Sequence, residues 1–394
     1  MFKKNKVING AIPAILLHAS IGSVYAFSLL AKPIAQTLNC TMQQAQFAFS
    51  LAICALGFSS AFFGRFVEKN IKRSTLLSLL FFTLGLVTAG ISVYHKSLAG
   101  LYLGYGLLMG IGLGIGYIAP VKTLLMWFSD KKGFASGLAI SAFGFVSAIA
   151  SPIITYLLST VELYQVFIYL AIIYVLPMFI AHLLILKPQN GENESIQHTQ
   201  NLSSISVFKN KTFILIWLII FINISCGLAL ISVASPLMAE NNISTATIAL
   251  IVGIMGIFNG SGRMIYSTVS DKLKDRRNIY IAVFSLSIAV VAYCLVHTST
   301  ASIVALLLII SSTYGAGFSC LPSLLSDRFG MQNISQIHGL ALTAWGCAGL
   351  LGNQISALIK TITGSYIPVL YVLLMCYLIA FIVCNKIENK KEII

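Results

Sequence analysis

Apolar residues run through this chain in long blocks broken by short polar segments. Twelve blocks can be drawn, at about 8–31, 43–64, 74–94, 98–127, 134–158, 163–186, 212–237, 245–266, 278–297, 301–325, 336–359 and 366–385. Each has the length of one membrane-spanning helix, about 20 residues at 1.5 Å per residue. The pattern predicts an all-α membrane protein of twelve transmembrane helices, with no soluble domain between them. The first block lacks a small-residue cleavage site and leads straight into the second, so it reads as a retained helix rather than a signal peptide. The one long polar stretch, KPQNGENESIQHTQNLSSISVFKNK, lies between Leu186 and Thr212. It divides six blocks from six, predicting an N-terminal bundle over 1–186, an inter-domain loop over 187–211 and a C-terminal bundle over 212–394.

Composition agrees. Of 394 residues, 58% are hydrophobic and 9% charged, against about 25% charged in soluble domains, which excludes a water-soluble globular enzyme. The net charge of +14 raises nucleic acid as a partner. That reading needs basic residues gathered on one face, whereas apolar blocks separate them here. Sorting the cations by alternate sides leaves twenty in the loops of one side and three, Lys32, Lys96 and Lys360, on the other. Basic loops stay in the cytoplasm, so both termini are expected there, with the lipid of an inner (plasma) membrane as the surrounding partner. The eight cysteines show no C-x-x-C spacing and read as small apolar packers; no metal site is expected. Gly104, Gly106, Gly110, Gly112, Gly114 and Gly116 lie inside the fourth block and read as close helix packing rather than a dinucleotide turn. Without a G-x-x-x-x-G-K-S/T loop, no nucleotide cofactor is expected and nothing points to ATP-driven chemistry.

The two halves share a loop pattern. Gly64-RFV-Glu68-Lys69-NI-Lys72-Arg73 follows the second block and Ser267-TVS-Asp271-Lys272-LKD-Arg276-Arg277 follows the eighth, with the two acids 203 residues apart. An acid followed by a basic cluster in matching loops suggests a parallel repeat about an axis along the membrane normal. The first copy resembles the signature loop of the major facilitator superfamily, with Glu68 in place of Asp and Ile71 in place of Gly. The second copy is looser, with Ser267 and Lys274 in place of the glycines. The resemblance implies that Glu68, Lys69, Arg73, Asp271, Lys272 and Arg276 hold helices together on the cytoplasmic face in an outward-open state. Further strings are GSVYAFS, YIAPVKTLLMWFSDKKGFASG, NISCGLALIS, FNGSGR, LPSLLSDRFG and HGLALTAWG. In this order they resemble the oxalate/formate antiporter family, which is related to monocarboxylate carriers; a monomer is the family's usual state.

Two cations, Lys122 and Arg263, lie inside apolar blocks, and no carboxylate lies deep in any block. An intramembrane cation costs roughly 2.5 to 3.5 kcal/mol on insertion scales, so an anionic substrate is the simplest partner. A guanidinium grips a carboxylate through two parallel hydrogen bonds, and the resemblance puts a carboxylate-binding Arg at the place of Arg263. Lys122 either adds a second charge from the other half or snorkels to the headgroups. Where the oxalate carrier has a Lys in its eleventh helix, this chain has Trp345, so a monocarboxylate such as formate, pyruvate or lactate fits better than oxalate. Tyr25, Tyr117, Tyr314, Phe318 and Trp345 are expected to wall a small pocket, each Tyr or Trp offering an apolar body and one donor. Asn259, on the face of Arg263, stands where proton-linked monocarboxylate carriers have Asp, which favours exchange. The alternatives are a proton-coupled symporter using His18, since His titrates near neutral pH, or a transport-inactive sensor or scaffold, which would be expected to carry an added soluble domain or long tail.

Overall fold

The computed structural model describes residues 5–188 and 203–391, and every regular element among them is helical. The long helices are α1 (Val7–Thr37), α2 (Met42–Lys69), α3 (Ile71–Tyr94), α4 (Leu98–Trp127), α5 (Lys132–Thr160), α6 (Leu163–Leu184), α7 (Lys211–Glu240), α8 (Thr245–Ser270), α9 (Arg277–Val296), α10 (Thr300–Phe329), α11 (Ile334–Thr363) and α12 (Ile367–Asn385). Eleven qualify as spans by length and apolarity alone; the twelfth, α8, is 26 residues long and carries Asn259 and Arg263. The predicted spans are all found. Residues 189–202 of the expected inter-domain loop lie outside the described residues, as do Lys3 and Lys4 of the charge count.

Several helices outrun their apolar blocks: α2 reaches Lys69, α8 Ser270 and α10 Phe329. A helix leaving hydrocarbon keeps its backbone hydrogen bonds, so only its side chains change character. Starts are set by caps. The Thr41 side chain accepts from the Gln44 N–H in a capping box, Ser244 accepts from Thr247, and Ser299 and Ser302 cap α10 reciprocally. α11 follows Asn333 and ends at Gly364, both in left-handed conformation (φ 58° and 70°); at Gly364 this is the usual stop at a helix C-terminus.

α2 packs on α11 and α5 on α8, and these two seams join α1–α6 to α7–α12. Close approach explains the glycines of α4: a Cβ at Gly112 would stand 2.5 Å from the Phe82 nitrogen on α3. Large apolar side chains on the outer surface, among them Phe62, Ile149, Leu176, Ile265, Leu358 and Met375, are exposed, a belt suited to lipid and unsuited to water. All eight cysteines are free, with Cys226, Cys294, Cys320 and Cys384 buried. The first residues of α1, the residues after α12 and the basic loops share one face of the bundle, termed the basic face below; there the Leu186 N–H donates to the Asn9 carbonyl and Arg277 Nη1 to the Ile387 carbonyl.

Candidate functional site

Arg263 sits inside the molecule, fully buried. Its Nε donates to Asn259 Oδ1 (2.9 Å), one turn back on α8; Nη1 donates to the Ile140 carbonyl on α5 (3.3 Å) and Nη2 to the Tyr25 hydroxyl on α1 (3.4 Å). No carboxylate among the described residues pairs with it. A guanidinium has five N–H donors, so three neutral acceptors leave donors and the whole charge to be met. Rings enclose it: its carbon stands 5.0 Å from the centroid of Phe318, 5.7 Å from Phe143 and 5.8 Å from Tyr25, within cation–π range.

The remaining rings continue this wall. The Tyr25 and Tyr314 hydroxyls lie 3.3 Å apart. Trp345 lies 4.5 Å from Phe318, 5.5 Å from Tyr117 and 5.7 Å from Phe143 between centroids, and His18 lies 5.1 Å from Tyr117. Local backbone places these groups. Tyr25 lies in a 3₁₀ turn, Ser23–Phe27, in the middle of α1, an interruption that a membrane helix tolerates where it is buried in protein, as Val24, Ala26 and Phe27 are. Gly22 just before it lets α1 touch α5, since a Cβ there would stand 2.5 Å from the Phe143 carbonyl oxygen. Thus Arg263, Asn259, Tyr25, Tyr117, Tyr314, Phe318, Trp345 and His18 are brought together from five helices of both halves. Phe143 and Ile140 of α5 were missed: one Phe among 24 and a backbone carbonyl carry no sequence signal.

Lys122 is not part of this cluster. It neither faces Arg263's surroundings nor snorkels. Its ammonium, 7% exposed, forms an ion pair with the Glu68 carboxylate and donates to the Glu68 carbonyl (3.4 Å). The expectation that Lys122 lacks an acid fails because Glu68, read as a loop residue, lies in the last turn of α2 and is buried.

Glu68 and Asp271 each reach across to the opposite half. The other Glu68 oxygen accepts from the Ser335 N–H at the start of α11 (2.7 Å). Asp271 accepts from the Gly133 (2.7 Å) and Phe134 (2.8 Å) N–H groups at the start of α5. Each carboxylate thereby satisfies orphan donors at the positive end of a helix dipole. Arg276 binds Asp271 (2.7 Å) and, through Nε, Asp327 of α10 (2.6 Å), to which Lys132 also extends (3.5 Å). Lys69 and Arg73 are exposed, lining a groove with Lys72 and Lys187, and Lys272 is exposed as well; these three expected gating cations make no ion pair with the two acids. Away from the basic face the α5–α8 seam loosens. A Cβ at Gly260 would press on the Phe145 ring at 2.5 Å, one at Gly256 would find its nearest neighbour at 3.8 Å, and one at Gly253 nothing within 4 Å.

A family model described as Major Facilitator Superfamily matches residues 12–353. The chain belongs to the Major Facilitator Superfamily. It is therefore a multi-pass membrane transporter, not an enzyme. Within the superfamily, the oxalate:formate antiporter of Oxalobacter formigenes is 28% identical over 355 residues, 88% of this chain and 84% of that one. An uncharacterized MFS-type transporter of Escherichia coli K12, YhjX, is 26% identical over 344 residues, 86% and 85% of the two chains. Among solved structures, a major facilitator transporter, FucP, in its outward conformation superposes with a TM-score of 0.74 at 15% identity, covering 98% of this chain and 99% of that one. The fold is shared, and the resemblance read from the sequence strings is borne out by the Oxalobacter relative.

Proposed function

We propose that this superfamily member carries a small monocarboxylate of the formate, pyruvate or lactate class across the inner membrane, gripped by Arg263 and moved by alternating access. The observation that carries the reading is a fully buried guanidinium with neutral acceptors and no acid partner among the described residues. A carboxylate entering between its free N–H groups would neutralise it in a site of low dielectric, where charge-assisted hydrogen bonds are strong. The name of the Oxalobacter relative, an oxalate:formate antiporter, supports a small organic anion. With Lys122 engaged by Glu68 and Trp345 in place of a lysine, one cation faces the pocket, which suits one carboxylate and disfavours oxalate. Exchange of one anion for another is the simplest cycle, because an anion then accompanies Arg263 on every crossing.

The excess of basic loops assigns the basic face to the cytoplasm. The Glu68 and Asp271 contacts then close the cytoplasmic side, with Arg276 and Asp327 as supports, and the loosened α5–α8 seam faces outward. The test is uptake of labelled formate, pyruvate, lactate and oxalate by the purified protein in liposomes, with and without internal anion. Monocarboxylate uptake stimulated by internal counter-anion, with oxalate excluded, is expected; movement of no organic anion would overturn the reading.

A further inference from the structure

Four buried polar atoms without a hydrogen-bond partner among the described residues lie close together: His18 Nε2, Tyr117 Oη, His338 Nε2 and Trp345 Nε1. The His18 and His338 rings flank Tyr117 at 5.1 and 6.0 Å. His18 precedes Tyr25 by seven residues on α1, and His338 precedes Trp345 by seven on α11. Seven residues are two turns, about 10 Å at 1.5 Å per residue, so both histidines form a layer below the Arg263 wall, on the basic-face side. One comes from each half.

His18 Nδ1 donates to the Ala14 carbonyl (3.2 Å), which leaves Nε2 of the neutral ring a bare acceptor, open to a proton. We infer that His18 and His338 form a proton site shared between the halves and loaded together with the anion at Arg263, so that the carrier moves a proton with its anion as well as exchanging anions. The inference rests on the anion reading of Arg263. The groups facing the pair account for the coupling. α4 presents Tyr117, and five residues nearer the basic face Lys122, whose charge Glu68 meets. α5 presents the apolar Phe143, 6.3 Å from His18. α11 begins, one turn below His338, with the Ser335 N–H that Glu68 caps. α8 contributes Arg263, the one nearby charge with no opposite partner among the described residues. A protonated histidine repels a bare guanidinium and no longer does so once a carboxylate neutralises it. Anion binding therefore favours proton binding and, by reciprocity, the proton favours the anion. Because the pair straddles the two halves, their separation on the basic face parts His18 from His338 and opens both to water, which releases the proton.

The experiment uses the full chain in liposomes, with labelled pyruvate and formate as probes, a trapped pH dye and an acid-outside gradient. For one proton per anion, a gradient of one pH unit concentrates the anion about tenfold, and the interior acidifies as the anion enters. His338→Gln is expected to abolish both while exchange against internal anion persists, which also shows that the variant is folded. His18→Gln is expected to lose the gradient-driven mode. A wild type that exchanges anions yet neither accumulates them nor acidifies its interior under the acid-outside gradient, or gradient-driven accumulation retained in both variants, would overturn the proton site. If the wild type moves neither anion in either mode, the reading of Arg263 fails first.

Discussion

The two contacts that join the halves on the basic face, at Glu68 and at Asp271, tie helices together with different chemistry. Glu68 is held by one backbone N–H and one buried ammonium. Asp271 is held by two backbone N–H groups and Arg276, which keeps Asp327 as a second acid, and Lys132 joins the same network. The repeat visible in the sequence thus conceals an asymmetry. The Glu68 side is brittle, since loss of either partner strands a buried charge. The Asp271 side is redundant, since Asp271, Arg276 and Asp327 each keep another partner when one is lost.

The largest break in this comparison is expected from Glu68→Gln. It leaves Lys122 buried and unpaired, a loss of about 3–5 kcal/mol, read as a lowered melting temperature in detergent. Adding Lys122→Met should recover most of that loss, whereas a purely additive double variant would deny the pairing. Asp271→Asn should cost less, about 1–3 kcal/mol, because the amide oxygen still accepts one N–H and Arg276 keeps Asp327. Its effect should appear as a longer-distance population between spin labels at the exposed positions Lys131 and Lys272, where unchanged distances would deny Asp271 a closing role. Lys132→Ala should be the mildest, under about 1 kcal/mol, as for any partly exposed ion pair.

Much of this was legible in the sequence, for stated physical reasons. Apolar blocks give the helices because hydrocarbon leaves the backbone no partner but itself. Arg263 stands out because an intramembrane charge without an acid demands explanation; of the aromatic residues expected there, Tyr25 and Phe318 lie against it, while Tyr117, Tyr314 and Trp345 stand one ring further out. The partner of Lys122 was not legible. Glu68 lies 54 residues away, past the end of an apolar block, and nothing in hydropathy shows that α2 continues helically to Lys69. The helix starts at Gly133 and Ser335 were missed for a related reason, since backbone donors leave no trace in side-chain identity. His338 had a faint signal, its seven-residue spacing from Trp345, which puts both near one face of α11.

The account turns on Arg263 as the anion site. Its most direct test is monocarboxylate exchange in liposomes by the wild type and by Arg263→Gln, with each protein's folding checked by its melting temperature. Losing one partner of a buried charge pair is worth roughly 3 kcal/mol, so exchange should fall about a hundredfold or more in the folded variant. Exchange at the wild-type rate by Arg263→Gln would contradict the account.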